Sequence, residues 1–258
     1  MQTIISNKMS EHPIVKKLEG KVNKTLFNYN LIENGDKVMV GLSGGKDSYS
    51  LLSLLISRRK ALPIEFELHA CHVMATDMEY RADIDYMQKV CKENNVSFHI
   101  KEITVEYNPN DRKPACFICS WKRRKMLFTT TRETGCNKLA LGHHMDDAIE
   151  TLLMNMINHS SISSIPPQLS MFNGDIKLIR PLSSCLDSEM ELYAKTREFP
   201  TEVKKCLYEK DTHRNSIREL ISQMEKINKD ARRNIYKSMQ NIFDEYLVNK
   251  PIDSKKVE

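Results

Sequence analysis

The sequence has little of what marks fibrous, membrane or secreted proteins. It contains only 8 glycines in 258 residues, which excludes collagen. No apolar run approaches the roughly 18 residues that a membrane helix needs. The amino-terminal stretch MQTIISNKMSEHPIVKK holds no continuous apolar core, so we expect no secretory signal. Because 40% of the residues are apolar, wholesale disorder is excluded as well, and a soluble globular protein is expected.

Charge and cysteine content narrow the class further. Lys and Arg number 39 against 34 Asp and Glu, a formal charge of +5 that permits a polyanionic partner without requiring one. The chain has seven cysteines. An odd count without a signal peptide predicts a reducing compartment, here the cytoplasm. The lack of a long apolar run predicts no contact with a membrane. We expect most of these thiols to be small buried side chains.

Strand-like and helix-like segments alternate along the chain. The predicted strands cover 37–42, 66–73, 97–103, 138–141 and 177–180, and the predicted helices cover 13–30, 46–59, 80–94, 117–134 and 145–157. This alternation predicts an α/β fold with a doubly wound parallel sheet and helical additions at both ends. We divide the chain into an N-terminal helical segment (1–34), a central domain (35–186) and a C-terminal helical extension (187–258).

A glycine-rich loop stands between the first predicted strand and its helix. Its residues are Ser43, Gly44, Gly45, Lys46, Asp47 and Ser48. Two glycines let the backbone approach an anion, and the helix start offers N–H groups and a positive dipole end. Lys46 adds a positive charge, the serines add hydroxyl donors, and Asp47 can hold Mg²⁺ beside phosphate. The loop is neither a Walker A nor a GxGxxG motif, and a tight turn that merely needs glycine is the alternative.

A second segment, LALGHHMDDAIET at 139–151, has the same strand-loop-helix form. The strand ends at Gly142, and the helix carries Asp147 and Glu150 on one face. If that face turns to the glycine-rich loop of residues 43–48, called the phosphate loop below, the carboxylates can bind Mg²⁺. A solvated acidic helix start is the alternative. His143 and His144 point to different sides, so one of them can face the site.

Cys116 and Cys119 form a CxxC pair at the start of a predicted helix, directly after Pro114 and Ala115. Thiols at a helix start have lowered pKa values and become thiolates readily. A zinc half-site would need a second CxxC or CxxH pair, which the sequence lacks. A thioredoxin-like redox pair is possible, but the residues around the pair lack the thioredoxin pattern. An iron–sulfur site needs at least a third thiolate. Two packed cysteines are the remaining alternative.

Basic residues cluster in two places. The first cluster surrounds the CxxC pair and comprises Arg112, Lys113, Lys122, Arg123, Arg124 and Lys125, with Trp121 among them. Basic residues beside an aromatic suit phosphate contact and base stacking. The second cluster comprises Arg214, Arg218, Lys226, Lys229, Arg232, Arg233 and Lys237. For both, a solvated helix face is the alternative, which for the first cluster would place Trp121 in the core.

Taken together, these segments resemble a known family. SGGKDS after a strand resembles the PP-loop of the N-type ATP pyrophosphatases, which cleave ATP between the α- and β-phosphates and adenylate a carbonyl oxygen. With the mid-chain CxxC and GHHxDDxxET, the chain is similar to the tRNA 2-thiocytidine synthetases (TtcA) of that superfamily, from about Asp36 to Phe243. Their three-cysteine [4Fe-4S] cluster implies Cys116, Cys119 and Cys206 as its ligands here, with Cys185 as the rival third ligand.

The resemblance also implies roles for the two loops. It implies ATP binding by Ser43 through Ser48 together with Gly142 and Asp147, Mg²⁺ at Asp47, and catalytic roles for Lys46, Asp47, Cys116 and Cys119. The reaction would adenylate the C2 oxygen of an anticodon-loop cytidine in tRNA and replace it with sulfur. The implied partners are tRNA and a sulfur donor, either a cysteine desulfurase or sulfide, with a homodimer as the possible assembly.

Three other functions stay open at this point. A lysidine synthetase would use lysine in place of sulfur and needs no cysteine, so iron and sulfide analysis separates it from a thiolase. A 2-thiouridine-forming enzyme shares the loop and the mid-chain CxxC, but its zinc-binding CxxC pairs at both ends are absent from this sequence. A non-enzymatic iron–sulfur or zinc RNA-binding module would release no pyrophosphate from ATP.

Overall fold

A six-stranded sheet forms the centre of the fold. In the computed structural model the described residues are 12–77, 82–106, 113–200 and 212–248. The strands are β1 (Lys37–Gly41), β2 (Glu67–Ala75), β3 (Ser97–Ile103), β4 (Lys138–Ala140), β5 (Gln168–Met171) and β6 (Ile176–Ile179). All five predicted strands are confirmed, each shifted by no more than about two residues at its ends.

The sheet order is β3-β2-β1-β4-β6-β5, which confirms the predicted doubly wound topology. The strand pairs are parallel except that β5 runs antiparallel to β6. The chain moves from β1 outward to β3 on one side and then returns to β4 on the other. The strand order therefore reverses between β1 and β4, where open α/β sheets bind their ligands.

Helices cover both faces of the sheet. They are α1 (Pro13–Asn28), α2 (Lys46–Ala61), α3 (Ile84–Glu93), α4 (Ala115–Glu133), α5 (Met145–His159), α6 (Asp187–Thr196), α7 (Thr212–Ile227) and α8 (Ala231–Ser238). The predicted helices are confirmed within a few residues at their ends. Helix α3 begins later than predicted because the Asp83 carboxylate caps it, accepting a hydrogen bond from the backbone N–H of Tyr86 at 2.9 Å.

Alternation along β1 divides the core into two layers. Val38 and Val40 pack into the larger layer, which also holds Leu18 of α1 and Tyr193 of α6. Met39 points to the other face and packs in the layer that contains Phe128 of α4. Because side chains alternate along a strand, a strand buried on both faces reads as a continuous apolar run.

The C-terminal helices pack on α5. Ile217 and Ile221 of α7 join Met145, Ile149 and Leu153 of α5 in a small apolar cluster. Our division at residues 34 and 186 stays a prediction, and α1 and α6 share the large core layer with the sheet. Within the described ranges, no helix has both the length and the apolar character that crossing a bilayer requires.

Candidate active site at the switch point of the sheet

The loop between β1 and α2 is organised by one buried hydroxyl group. The Ser48 side-chain oxygen accepts hydrogen bonds from the backbone N–H groups of Ser43 and Gly44, each at 3.2 Å. It donates in turn to the carbonyl oxygen of Gly45 at 2.9 Å. Ser48 therefore holds the loop closed around the start of α2.

Two glycines are required by geometry. Gly44 has φ +98°, a conformation that residues with a Cβ rarely adopt. Gly142, after β4, lies against the start of α2, and a Cβ built there would be 3.0 Å from the carbonyl carbon and oxygen of Asp47. The second loop can therefore approach the phosphate loop this closely only with glycine at position 142.

The two loops line one cavity of about 290 Å³ at the carboxyl ends of β1, β2 and β4. This is the switch point of the sheet, and it brings together the two segments singled out in the sequence. The residues that line it include Ser43, Asp47, Ser48, Arg123, Gly142, His143 and Asp147. A cavity of this size, edged by a helix start and by cationic and acidic side chains, suits a phosphorylated ligand.

Lys46 is held by two carboxylates beside this cavity. Its ammonium group donates to Asp187 at 2.6 Å and to Asp47 at 3.1 Å. Burial lowers the pKa of Lys46, but the hydrogen bond and the charges of Asp187 and Asp47 outweigh burial and raise it above its usual value. The side chain is therefore cationic at neutral pH.

His144 joins this cluster. Its Nε2 lies 3.4 Å from Asp187 Oδ1, and its Nδ1 lies 3.5 Å from Asp147 Oδ2. Burial lowers the pKa of His144, but Asp187 and the other surrounding carboxylates raise it by more. The net shift of the pKa is therefore upward. Potential ligand atoms of Asp47, His144 and Asp187 all lie within 4.8 Å of one another, a spacing that a cation can bridge.

His143 faces the cavity itself, as expected for one member of the histidine pair. Burial, helped by the charges of Arg180 and Arg124, lowers the pKa of His143 to about 4. Asp147 opposes this shift without reversing it. The imidazole is therefore neutral at physiological pH and can accept or donate one hydrogen bond in the cavity.

The acidic residues of α5 separate into two groups. Asp147 lines the cavity and accepts a hydrogen bond from the backbone N–H of His144 at 2.9 Å. Glu150, which we expected on the same face, instead lies buried against α7 and accepts from Arg218 at 2.7 Å. Asp146 is also buried, pairing with Arg232 of α8 and accepting from the backbone N–H of Asp187 at 2.7 Å. The face that turns towards the loop thus carries Asp147 alone of these three.

The described cysteines differ in accessibility. Cys116 is exposed and Cys119 is partly exposed on the first turns of α4. The other four, Cys71, Cys91, Cys136 and Cys185, are buried, as expected for packing roles. Burial raises the pKa of Cys185 to about 12, so this thiol holds its proton strongly. Cys206 lies outside the described residues, and the proposed third ligand stays a prediction.

The first basic cluster lies largely on the exposed side of α4. Trp121 is 53% exposed, so the alternative that places it in the core is wrong. Lys125 stands over its ring, with the ammonium nitrogen 5.4 Å from the ring centroid. Arg123 points to the other side and lines the cavity between the two loops. Arg112 lies outside the described residues.

Sequence reasoning missed Asp187 as a site residue. It is the first residue of α6, and an aspartate there is typical of any helix start because of the dipole. Only the folded chain brings it to Lys46, which is 141 positions away in sequence. The one local signal was its position seven residues after Arg180, in the segment that follows the last predicted strand.

Comparison with known proteins identifies the family. The PP-loop domain matches residues 14–225. The tRNA-cytidine(32) 2-sulfurtransferase of Pseudomonas fluorescens (strain SBW25) is 33% identical over 249 residues, covering 94% of this chain and 89% of the relative. That of Ralstonia pickettii (strain 12J) is 32% identical over 241 residues, covering 92% and 76%.

A solved structure agrees in fold and extent. The U34-tRNA thiolase NcsA from Methanococcus maripaludis, solved with its [4Fe-4S] cluster, superposes with a TM-score of 0.75 at 27% identity. The match covers 93% of this chain and 81% of that one. The chain therefore belongs to the PP-loop family and, within it, to the family of the tRNA-cytidine(32) 2-sulfurtransferases.

Proposed function

We propose that this protein is an ATP-dependent tRNA sulfurtransferase that converts an anticodon-loop cytidine to 2-thiocytidine. The observation that carries the proposal is the cavity between β1 and β4, where the phosphate loop and the Gly142 loop meet beside α4, the helix that starts with the accessible cysteine pair. In the proposed reaction the C2 oxygen attacks the α-phosphorus of ATP and pyrophosphate leaves. Adenylation converts a poor oxygen leaving group into AMP, which sulfur then replaces.

The phosphate loop supplies the electrostatics of the first step. The N–H groups at the start of α2 face the phosphates, and Lys46 stabilises the charge that grows on the departing pyrophosphate. Asp187 and Asp47 hold the Lys46 ammonium group in place before the reaction. A donor that is already oriented needs no reorganisation when charge develops, which is the source of its catalytic value.

Mg²⁺ is the proposed companion of ATP in this cavity. Asp47 offers the hard carboxylate oxygen that Mg²⁺ prefers, and Asp187 offers another nearby. Burial raises the pKa of Asp47 despite the opposing charge of Lys46. A cation at Asp47 would stabilise the ionised carboxylate, so the donor set fits a divalent ion that arrives with the nucleotide.

The cysteines at the start of α4 fit an iron–sulfur cluster. Cys116 and Cys119 are the accessible pair among the described thiols, and thiolates are the soft ligands that iron–sulfur clusters require. We propose Cys206 as the third ligand, because Cys185 is buried in the large core layer and retains its proton. A cluster held by these three cysteines would leave one iron without a protein ligand, and the chemistry it would supply is the delivery of sulfide to the adenylated base.

A second candidate is 2-thiouridine formation, which the similarity in structure to the U34-tRNA thiolase favours. Mass spectrometry of nucleosides from treated tRNA separates the two products directly. A lysidine synthetase would leave the tRNA free of new sulfur and the protein free of iron. We further propose sulfide or a cysteine desulfurase as the sulfur source, a homodimer as the assembly, and the cytoplasm as the location.

The experiment that tests the proposal is release of pyrophosphate from ATP with and without tRNA, followed by nucleoside analysis. Lys46→Ala should lower the rate by about two to three decades, since losing one such donor raises the barrier by about 3–4 kcal/mol. Lys60→Ala, at the exposed end of the same helix, is the matched control and should keep the wild-type rate. Wild-type turnover by Lys46→Ala would overturn the proposed role of the loop.

A further inference from the structure

A groove runs along the outer side of α4. It is separate from the cavity between β1 and β4 where we propose that ATP binds, called the nucleotide cavity below. It has a volume of about 490 Å³ and lies between α4 and the turn that joins β5 to β6. The residues that line it include Trp121, Arg124, Lys125, Phe128, Arg132 and Phe172. Among the described residues that line it, three side chains are positively charged and three are aromatic, and the acidic group beside them is Asp175 of the turn, 3.5 Å from the Arg132 guanidinium. The proposed ATP chemistry uses none of these six residues.

Two rings of this groove are accessible and each has a cation over its face. Trp121 is 53% exposed and Phe172 is 47% exposed. Lys125 Nζ lies 5.4 Å from the Trp121 centroid, and the Arg132 guanidinium carbon lies 5.2 Å from the Phe172 centroid. Phe128 packs against Phe172 in an edge-to-face contact, with the two ring centroids 5.2 Å apart. The groove thus offers flat apolar faces and positive charge together, which is the combination that holds single-stranded nucleic acid.

The backbone holds Phe172 in an unfavourable conformation. Phe172 and Asn173 have φ values of +52° and +58°, and Gly174 has +100°. A bulky residue in the left-handed region is strained, and such residues concentrate at ligand-binding positions. Here the conformation presents the Phe172 ring to the groove while its edge contact with Phe128 keeps it in place.

The groove and the nucleotide cavity share α4. Arg123 lines the cavity and Arg124, the next residue, lines the groove. The charge of Arg124 also reaches His143 inside the cavity, where it contributes to the lowered pKa of that imidazole. A polyanion that follows the groove would therefore come close to the nucleotide. The accessible cysteine pair lies at the start of the same helix.

We propose that this groove binds an unpaired base of tRNA, stacked on Trp121 or Phe172, with the flanking phosphates on Arg124, Lys125 and Arg132. The charge complementarity selects an anion, and the exposed rings select one that carries flat aromatic groups, so an RNA strand fits better than an acidic protein segment. This inference rests on the proposed function for the identity of the RNA as tRNA. It adds a stacking site outside the reaction cavity.

Trp121 is the only tryptophan of the chain, so its fluorescence reports on the groove directly. Unfractionated tRNA should quench the emission in the absence of ATP, because a base stacked on the indole ring removes its excitation. Heparin and polyglutamate, which carry negative charge without bases, should bind more weakly and leave the emission unchanged. Equal quenching by polyglutamate and by tRNA would overturn the stacking proposal.

Affinity for fluorescein-labelled tRNA, followed by anisotropy, tests each ring. Trp121→Ala and Phe172→Ala should each weaken binding by about 5- to 150-fold, while Trp121→Phe and Phe172→Tyr, which keep a ring, should bind more like the wild type. Phe27→Ala is the matched control, since Phe27 is 87% exposed on α1 and lies outside the groove. Unchanged affinity in both alanine variants would overturn the proposal.

The two proposals fail differently. If the wild-type protein releases pyrophosphate in the presence of tRNA but the groove variants bind tRNA normally, only the groove proposal is wrong. If the wild-type protein binds no tRNA, the proposed function falls first and the groove proposal falls with it. Thermal unfolding of every variant confirms that a lost affinity is a surface effect, because both rings are about half exposed.

Discussion

Helix α4 and the pair α7–α8 carry similar clusters of Arg and Lys in sequence, yet their charges have different neighbours in the fold. On α4, Lys125 stands over an exposed ring and Arg124 lines an open groove. On α7, Arg218 donates to the buried carboxylate of Glu150 at 2.7 Å. On α8, Arg232 pairs with the buried carboxylate of Asp146.

The difference teaches that charge density alone does not predict a binding surface. A cation whose hydrogen bonds are taken by a buried carboxylate fixes one layer of the protein on another, whereas a cation over an exposed ring stays available to a ligand. The pairs on α7 and α8 attach both helices to α5. Through Asp146, which accepts from the backbone N–H of Asp187, this attachment continues to Lys46 in the phosphate loop.

The largest expected effect comes from removing the cation of a buried pair. Arg232→Met removes the arginine partner of the buried Asp146 carboxylate, leaving His144 Nδ1 at 3.6 Å as its nearest basic group, and should lower the free energy of unfolding by about 3 kcal/mol. Urea unfolding measures this difference. Arg124→Met on α4 is the matched change at an exposed position, and it should stay within about 0.5 kcal/mol of the wild type. Equal losses in the two variants would remove the distinction between the two regions.

A smaller effect is expected on RNA affinity when the charges on α4, rather than those on α8, are changed. Affinity for tRNA falls as salt rises, and Arg124→Glu combined with Lys125→Glu should make this dependence weaker. The magnitude of the slope of log affinity against log salt should fall by about 0.7–0.9 for each phosphate that the two side chains no longer neutralise. Lys226→Glu combined with Lys229→Glu, at exposed positions on and just after α7, is the control and should leave the slope unchanged. A slope that falls equally in both double variants would make α4 an ordinary solvated face.

The sequence was informative where the pattern is local. The strands β1 to β4 and β6 and their helices follow from apolar periodicity, and both loops could be located because each follows a strand. Strand β5 was not predicted because it is a four-residue edge strand without a buried residue, so it shows no alternation. Its pairing with β6 depends on the turn at Phe172, where the Asn173-Gly174 dipeptide is a local hairpin signal that the predicted strand pattern did not use.

The parts of the site that sequence could not predict depend on distant contacts. Asp187 meets Lys46 across 141 positions, and Arg218 meets Glu150 across 68. Both acidic residues have local explanations as ordinary helix residues, so nothing in the sequence distinguishes the one that reaches the active site from the one that anchors α7. Burial decides between them, and burial is a property of the folded chain.

The smallest expected effect concerns Arg233, the neighbour of Arg232 in sequence. Arg233 lies 3.9 Å from Asp230, and both side chains are about half exposed. Exposed pairs of this kind contribute little, because water solvates both charges and holding the side chains together reduces their freedom. Arg233→Met should therefore change the free energy of unfolding by no more than about 0.5 kcal/mol, against about 3 kcal/mol for Arg232→Met. Urea unfolding of the two variants, which differ by one position on the same helix, isolates the effect of reaching a buried carboxylate from that of removing a positive charge. A loss for Arg233→Met as large as that for Arg232→Met would mean that the net charge of α8, and not the Asp146 pair, holds this helix in place.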